Sequence, residues 1–418
     1  MTSSTKHPTK PPMKTAEEAL AHLLAQAIPV DQVEVLDTAD ALGRVLAQEV
    51  LSQVDVPPMD NTQMDGYAVR TADVSRPGVS LKVSQRIPAG HLGQALEPGT
   101  IARIFTGATI PDGADAVVMQ EVCEVNGDMV TIQEVPESGQ WIRRQGEDLK
   151  AGHVCLSKGT LLRAQELGVL ASAGYAKLPV FRKLKVAAFF TGDELTLPGQ
   201  PLKPGSIYNS NRDTLLACIR SLGCEATDLG IVPDTLEATR DALRRASGGH
   251  DLIITSGGVS VGEEDHIKPA VTAEGRLDMW QIAIKPGKPL AFGAVKKQGP
   301  QTEEATETWF MGLPGNPVSS FVTFLLFVRP FIAKLQGRQN LATPSMSIRA
   351  DFDWVKPDRR NEFLRVRIND KGGLDLFPNQ SSGVLTSASW ADGLVDNPGS
   401  QVIKKGDFVK YMPFSGML

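Results

Sequence analysis

The sequence predicts a multidomain protein of the α/β plus β class, with one doubly wound α/β domain. Residues 183–337 alternate apolar strand-like runs with helical apolar stripes. Residues 56–145 contain short β-rich runs separated by Pro-Gly, Asp-Gly and Asn-Gly turns, and residues 343–418 return to short strands. The alternation implies right-handed crossovers and a sheet covered on both faces. The 418 residues suffice for two to four domains.

The first predicted element is a helix from Thr15 to Ile28. Thr15 and Glu18 fit a capping box, and apolar residues follow at helical spacing. A second helical pattern covers residues 163–173. We predict that the two helices pair, so that one helical linker domain is built from residues 15–55 and 146–182, on both sides of the β-rich insertion.

The remaining elements follow from short apolar runs between turn signals. Strands of the β-rich domain are predicted at residues 81–87, 101–105, 116–122 and 129–135. In the α/β domain we predict strands at 186–190, 226–232, 252–255, 282–284 and 309–313, with helices at 213–222, 235–246 and 318–335. The terminal β domain is predicted to have strands at 347–352, 363–368, 374–377 and 407–412.

Composition and charge exclude several classes of function. The chain has 43 basic and 48 acidic residues and no basic block that could neutralise a row of phosphates, which argues against a nucleic-acid reader. Its four cysteines lack zinc-site spacing and are predicted to be reduced core thiols. We find no signal peptide and expect no membrane-spanning run, so a cytoplasmic protein is expected.

A glycine-rich loop leaves a predicted strand of the α/β domain. Ser256, Gly257 and Gly258 follow one strand, and backbone N–H groups without a Cβ nearby suit an anion. The acids that follow, with Asp265 as first choice, suggest a bridging Mg²⁺. A tight turn followed by a solvated acidic turn is the competing interpretation.

Two further loops supply positive charge and the start of a helix. Lys285 and Lys288 lie on a proline- and glycine-constrained turn and suit an oxyanion, although a plain surface turn is the alternative. Pro314 and Asn316 precede an apolar helix whose positive end could face the same pocket, with Ser319 as a hydroxyl donor. The alternative is a helix start stabilised for its own sake.

Acids at strand ends extend the predicted pocket. Glu194 and Asp234 each follow a strand of the α/β domain, and such strand ends converge on one crevice. Asp234 could instead cap the helix that starts at Thr235. In the β-rich domain, dense polar clusters include Asp65, Thr106 and Arg143. Surface charge would explain any one of these clusters, but less readily all of them.

Seven motifs, in order, closely resemble the molybdopterin molybdenumtransferase family. They are Met64-Asp-Gly-Tyr-Ala-Val69, Thr106-Gly-Ala108, Arg143-Arg-Gln-Gly-Glu-Asp148, Thr191-Gly-Asp-Glu-Leu195, Ser256-Gly-Gly-Val-Ser-Val-Gly-Glu-Glu-Asp265, Lys285-Pro-Gly-Lys-Pro289 and Gly312-Leu-Pro-Gly-Asn-Pro-Val-Ser319. The resemblance implies four domains, among them a molybdopterin-binding α/β domain and a small C-terminal β-barrel-like domain. It also implies an elongated homodimer, with each cleft between the α/β domain of one subunit and the β-rich domain of the other.

The resemblance further implies a reaction and its participants. Adenylylated molybdopterin and molybdate, the metal donor, would yield molybdenum cofactor and AMP with Mg²⁺ as cofactor. Transient contacts with molybdopterin adenylyltransferase and with acceptor molybdoenzymes are implied as well. Molybdopterin adenylyl transfer and a non-catalytic scaffold related to gephyrin are the alternative functions. The sequence does not distinguish between molybdate and tungstate as the substrate.

Site roles are carried over by position. The resemblance implies catalytic roles for Asp65, Glu194, Asp265 and Lys285, with Glu194 and Asp265 as metal ligands. Substrate contacts are implied for Thr106, Arg143, Asp234, Ser256, Gly257, Gly258, Pro314 and Asn316. Molybdate contacts are implied for Lys285, Lys288, Ser319, Arg360 and Ser382, with Arg365 as an alternative to Arg360. One departure is Gln281, where the family usually has a basic residue.

Overall fold

The structure is a computed structural model that describes residues 13–259, 266–298 and 307–418, without the side chains of residues 279 and 280. Within these ranges the chain forms two compact units. The β-rich unit comprises residues 35–42 and 46–180, and the α/β unit comprises the remaining described residues. The predicted four-domain division stays a prediction.

The helices are α1 (Ala16–Gln26), α2 (Ala164–Ser172), α3 (Ser210–Ser221), α4 (Leu236–Ser247), α5 (Ile267–Glu274), α6 (Pro317–Thr323), α7 (Arg329–Leu335) and α8 (Thr386–Trp390). The strands are β1 (Val33–Asp37), β2 (Val50–Leu51), β3 (Asn61–Thr62), β4 (Gly66–Val69), β5 (Val79–Ile87), β6 (Thr100–Ile104), β7 (Ala116–Met119), β8 (Cys123–Asn126), β9 (Met129–Ile132), β10 (Ile142–Arg143), β11 (Val154–Leu156), β12 (Lys177–Phe181), β13 (Lys185–Thr191), β14 (Leu195–Thr196), β15 (Ile207–Tyr208), β16 (Glu225–Val232), β17 (Leu252–Ser256), β18 (Gly275–Gln281), β19 (Ile284–Lys285), β20 (Pro289–Lys296), β21 (Glu307–Leu313), β22 (Met346–Arg349), β23 (Asn361–Ile368), β24 (Leu374–Leu376), β25 (Gly393–Asn397) and β26 (Phe408–Pro413).

The β-rich unit is built on a six-stranded sheet in the order β7-β4-β6-β5-β9-β8. Side chains alternate between its faces, so Tyr67 and Val69 enter one apolar cluster while Ala68 enters another. A third cluster packs α2 against residues of β2 and β12. The four predicted strands of this region are present, with ends that differ by at most three residues.

The α/β unit contains a six-stranded sheet in the order β16-β13-β17-β21-β20-β18. Its first four strands are parallel, whereas β20 and β18 are antiparallel to their neighbours. The sequence did not predict β18, β20 or α5, and the strand predicted at residues 282–284 is wrong for this sheet, because the strand found there, β19, pairs with β23 instead. Both faces are covered: Phe190 lies in a cluster with residues of α3 and α6, and Phe189 in a cluster with residues of α4 and α5.

The N-terminal helix begins as predicted but packs elsewhere. Thr15 and Glu18 make both hydrogen bonds of the capping box at α1. Ala19 and Leu23 are buried in the core of the α/β unit, together with Phe331 and Leu335. The predicted pairing of α1 with α2 is therefore wrong, because the apolar face of α1 covers the α6–α7 region instead.

The apolar helical segment Pro317–Leu335 corrects another expectation. It comprises α6, a π-helical turn at Phe324–Val328 and α7. By length and composition it could cross a membrane, although no such run was expected from the sequence. In the structure 89% of it is buried within the protein, so it serves as the core helix of the α/β unit.

The C-terminal residues form a third six-stranded sheet, which includes a strand from the α/β region. Its order is β19-β23-β25-β26-β22, and β24 also pairs with β23. A bridge between Ala350 and Leu374 joins the end of β22 to β24, so the hydrogen bonding continues around the sheet. The parallel pairing of Ile284 with Asn361 brings the predicted lysine turn to this sheet.

Candidate active site

The predicted loops meet at one edge of the α/β sheet. The parallel strands β13, β16, β17 and β21 end there, since Thr191 pairs with Val232 and Ser256 pairs with Leu313. Because β20 runs antiparallel to β21, its first residues also lie at this edge. The connection from β18 to β20, which carries Lys285 and Lys288, is therefore placed beside the ends of the parallel strands.

A cavity of about 710 Å³ opens at this edge. Eleven of the predicted site residues line it: Glu194, Asp234, Gly257, Gly258, Lys285, Lys288, Pro314, Asn316, Ser319, Arg360 and Ser382. Ser256 lines an adjoining cavity of about 540 Å³, which shares Glu194, Gly257 and Asn316 with the first. Gln281 ends β18 and is not among the lining residues. Asp265 lies outside the described residues.

The glycine-rich loop after β17 is fixed against the loop after β21. The buried Ser256 hydroxyl donates to the Pro314 carbonyl at 3.0 Å, and the Gly257 N–H donates to the Leu313 carbonyl at 3.2 Å. Gly257 has φ +100°, and a Cβ there would lie 2.6 Å from the Thr191 carbonyl oxygen. The close approach of these two strand ends thus requires glycine.

Lys285 lies between the cavity and two carboxylates of the C-terminal region. Its Nζ is 3.1 Å from Glu362 Oε1 and 3.7 Å from Asp358 Oδ2. Glu362 is only 1% exposed and also accepts from Trp354 Nε1 at 2.7 Å. This buried carboxylate therefore holds the Lys285 ammonium in place. Lys288 is exposed, and no ion pair involves it in the part of the chain that the structure describes.

The structure distinguishes the two candidate arginines by position. Arg360 lines the cavity, and its guanidinium binds Asp358 through Nε at 3.0 Å and Nη2 at 2.9 Å. That bidentate pair keeps the pKa of Asp358 well below its usual range. Arg365 is 1% exposed and donates to Ser387 Oγ, and burial lowers its pKa to about 10. Arg360 is thus the arginine placed to reach a ligand.

Hydroxyl groups and a helix start complete the cavity wall. Ser319 lies in the first turn of α6, which has Asn316 at its N-cap and Pro317 at its first position. The Val318 N–H donates to the Ser382 carbonyl at 3.0 Å, so this turn is tied to the loop that carries Ser382. A serine from each segment consequently lines the cavity beside the three cations.

Two carboxylates, Glu194 and Asp234, face the same cavity. The Glu194 carboxylate folds over Gly192, where a Cβ would lie 2.5 Å from Glu194 Oε2. Helix α4 is capped by Thr235, whose hydroxyl accepts from the Ala238 N–H, so capping by Asp234 is not required. Carboxylate oxygens are the ligands that Mg²⁺ prefers. In the described ranges no cluster of three or more His, Cys, Asp or Glu residues suits a metal.

Two of the three predicted site residues in the β-rich unit are hydrogen-bonded to each other. Asp65 Oδ1 accepts from the Thr106 N–H at 2.8 Å and from the Thr106 hydroxyl at 2.7 Å. These two hydrogen bonds lower the pKa of Asp65, and the bond from the backbone N–H has the larger effect. Arg143 lies on β10, which pairs with β3 a few residues before Asp65, and its side chain is exposed.

Sequence reasoning missed three polar residues that support the site. Asn211 donates to Ser256 Oγ at 2.8 Å and to the Gly315 carbonyl at 2.7 Å, and thereby connects the two glycine-bearing loops. Asp358 and Glu362 bind two of the cavity cations, Lys285 and Arg360. The Asn209-Ser-Asn211 run at the start of α3 is a cap signal that could have indicated Asn211. The two acids gave no local signal.

Comparison with known proteins identifies the regions of the chain. Residues 14–174 match the family described as "MoeA N-terminal region (domain I and II)", and residues 187–334 match "Probable molybdopterin binding domain". Residues 347–414 match "MoeA C-terminal region (domain IV)". Together these matches cover both units.

Two curated relatives and one solved structure resemble nearly the whole chain. Molybdopterin molybdenumtransferase of Haemophilus influenzae is 42% identical, covering 87% of this chain and 89% of its own length. The Nostoc protein of the same name is 37% identical, covering 95% of this chain and 92% of its own length. The crystal structure of the molybdopterin biosynthesis moeA protein from Pyrococcus horikoshii has a TM-score of 0.81 at 29% identity, covering 96% and 100%. The chain therefore belongs to the molybdopterin molybdenumtransferase family and has its multidomain fold of mixed α/β content.

Proposed function

We propose that this chain transfers molybdenum from molybdate to adenylylated molybdopterin, with release of AMP, to give molybdenum cofactor. The observation that carries this proposal is the cavity in which Lys285, Lys288 and Arg360 lie together with two serines. Ammonium, guanidinium and hydroxyl donors can neutralise and orient a tetrahedral dianion. The glycine-bearing loops beside them offer backbone N–H groups for the phosphates of the second substrate.

The acids of the cavity suit the other half of the reaction. Glu194 lines the cavity, and Asp265 follows the glycine-rich loop in sequence. These two residues would hold Mg²⁺, which polarises a phosphate link and stabilises the leaving adenylate. Asp234 lies at the same edge and would orient the substrate.

The direct test measures AMP release by the purified protein. Adenylylated molybdopterin and Mg²⁺ are supplied with and without molybdate, and AMP and molybdenum-loaded pterin are quantified. We expect both products to depend on molybdate. Pyrophosphate release from ATP and unloaded molybdopterin would instead indicate the adenylyltransferase, and inactivity in both assays would favour a scaffold. The family matches to both β regions support the transferase over the adenylyltransferase.

We further propose that the active form is a cytoplasmic homodimer with shared sites. In this proposal Asp65, Thr106 and Arg143 of one subunit complete the cavity of the other, and molybdopterin adenylyltransferase and acceptor molybdoenzymes bind transiently. The basis is that the two sets of predicted substrate contacts lie in different compact units.

Subunit complementation tests the shared site. An Asp65→Ala subunit and a Glu194→Ala subunit are each expected to be inactive as homodimers. After mixing, a heterodimer has one intact site, so AMP release should recover in part. The control is a mixture of two Asp65→Ala preparations with different tags, which monitors subunit exchange. An inactive mixture after verified exchange would show that the site is not shared.

Asp265→Asn tests the metal role while keeping side-chain volume. Because a carboxylate contributes charge to Mg²⁺ binding, this variant should require a higher Mg²⁺ concentration for AMP release and keep its unfolding temperature. Asp213→Asn, an exposed acid on α3, is the matched control. An unchanged Mg²⁺ titration would mean that Asp265 belongs to a solvated turn.

A further inference from the structure

The β-rich unit places two arginines side by side on neighbouring strands. Strands β5 and β6 are parallel, and Arg86 of β5 pairs with Arg103 of β6 in the register. Like charges at paired positions of a sheet repel each other and destabilise it. The pair is therefore costly unless a negative group lies near both guanidinium groups.

No carboxylate in the described part of this unit makes an ion pair with Arg86 or Arg103, although the charge of Arg103 adds to the Thr106 hydrogen bonds in lowering the pKa of Asp65. In the described part of the β-rich unit, the ion pairs involve other cations: Arg70, Lys82, Arg144, Arg163 and Lys177. Arg103 instead donates to neutral acceptors, the Gly66 carbonyl at 2.8 Å and Gln120 Oε1 at 2.6 Å. These bonds fix the Arg103 guanidinium without neutralising it.

A shared aromatic ring holds both guanidinium groups. The Cζ atoms of Arg86 and Arg103 each lie 4.4 Å from the centroid of the Phe105 ring. Arg86 is exposed and has no hydrogen-bond acceptor among the described residues, so its N–H donors are available to a ligand. Stacking on Phe105 limits the rotamers of Arg86 and so reduces the entropy lost when a ligand binds.

The pair lies next to residues that we expect to contact substrate. Phe105 directly precedes Thr106, whose N–H and hydroxyl bind Asp65. A ligand group held by the two arginines would consequently border the polar cluster of this unit.

We propose that Arg86, Arg103 and Phe105 form a subsite for a phosphate group of the adenylylated pterin. The inference rests on the proposed function for the identity of that ligand. Guanidinium groups bind phosphate oxygens through paired, charge-assisted hydrogen bonds. The bound phosphate would also neutralise the repulsion between the two strands.

Calorimetric titration of the full-length protein with inorganic pyrophosphate at low ionic strength tests the subsite. Arg86→Gln should weaken pyrophosphate binding about two- to fivefold, the upper part of the range for an exposed charge pair. Lys82→Gln removes one exposed charge from the same strand and should change affinity less than twofold. Because a repulsion is relieved, Arg86→Gln should unfold at the same or a slightly higher temperature.

Turnover separates this subsite from the overall reaction. Arg86→Gln should raise KM for the adenylylated pterin and leave KM for molybdate unchanged. If Arg86→Gln and Lys82→Gln weakened pyrophosphate binding equally, the effect would come from the overall positive charge of the surface, and the subsite would be overturned. Unchanged pyrophosphate affinity in Arg86→Gln would overturn it as well. If pyrophosphate binds through Arg86 but no AMP is released from the adenylylated pterin, the proposed function fails while the phosphate subsite stands.

Discussion

Lys285→Ala should raise the molybdate concentration needed for half-maximal AMP release by about ten- to a hundredfold. A hydrogen bond to a charged group contributes about 1.5 to 3 kcal/mol, which corresponds to that range of affinity. The KM for the adenylylated pterin should change much less, because that substrate has many other contacts. Steady-state titration of each substrate at saturating levels of the other measures the two effects separately.

The ion pair with Glu362 calls for a second variant. Lys285→Ala removes the cation beside a carboxylate that is 1% exposed, so part of any loss could come from destabilisation. Lys285→Ala combined with Glu362→Gln removes the unpaired charge and should restore thermal stability without restoring molybdate affinity. Lys268→Ala, on the exposed face of α5, is the control for loss of a lysine. If Lys285→Ala weakened binding of the adenylylated pterin and left the molybdate requirement unchanged, the Lys285 turn would instead bind a phosphate of the pterin substrate.

Gly257→Ala should abolish most AMP release and destabilise the protein by about 1 to 3 kcal/mol. The added Cβ would lie 2.6 Å from the Thr191 carbonyl oxygen, in a backbone conformation that non-glycine residues rarely adopt. The obstacle is backbone at the end of a buried strand, so relief requires the two strand ends to separate. Thermal unfolding and AMP release are the measurements.

Gly199→Ala is a matched control for the backbone conformation alone. Gly199 has φ +90°, close to that of Gly257, but a Cβ there would have no atom within 4 Å. This variant should lose about 1 to 2 kcal/mol of stability and keep its activity. If the two variants had equal turnover, the close approach of Gly257 to the Thr191 carbonyl would not matter for the site.

The strands that the sequence predicted best are those buried on both faces. β13, β17 and β21 are short, continuous apolar runs between turn signals, and their positions differ from the prediction by at most two residues at either end. β20 and β18 were missed for physical reasons. β20 begins at a proline within the lysine turn, β18 alternates polar and apolar residues as an edge strand does, and α5 contains Pro269.

Most of the cavity lining was predictable because each motif carries its own local signal, whereas Arg360 and Ser382 were implied by the family resemblance alone. Glycine, proline and lysine at a strand end indicate a ligand loop even when the neighbouring strand is misassigned. Asp358 and Glu362 could not be found in this way, since they act on Lys285 across more than 70 residues of sequence. The partner of α1 was unpredictable for a similar reason: an apolar stripe shows that a face is buried but not what covers it.

The pairing of Ile284 with Asn361 makes one wall of the cavity depend on residues that are synthesised after the α/β sheet. Residues 185–335 contain the complete six-stranded sheet and its glycine-bearing loops, yet Arg360, Ser382 and both carboxylates that fix the cavity cations come after them. A nascent chain released before residue 360 would therefore have the glycine-bearing loops but neither Arg360 nor Ser382 to line the cavity. The cavity can therefore be completed only after β23 has formed beside β19.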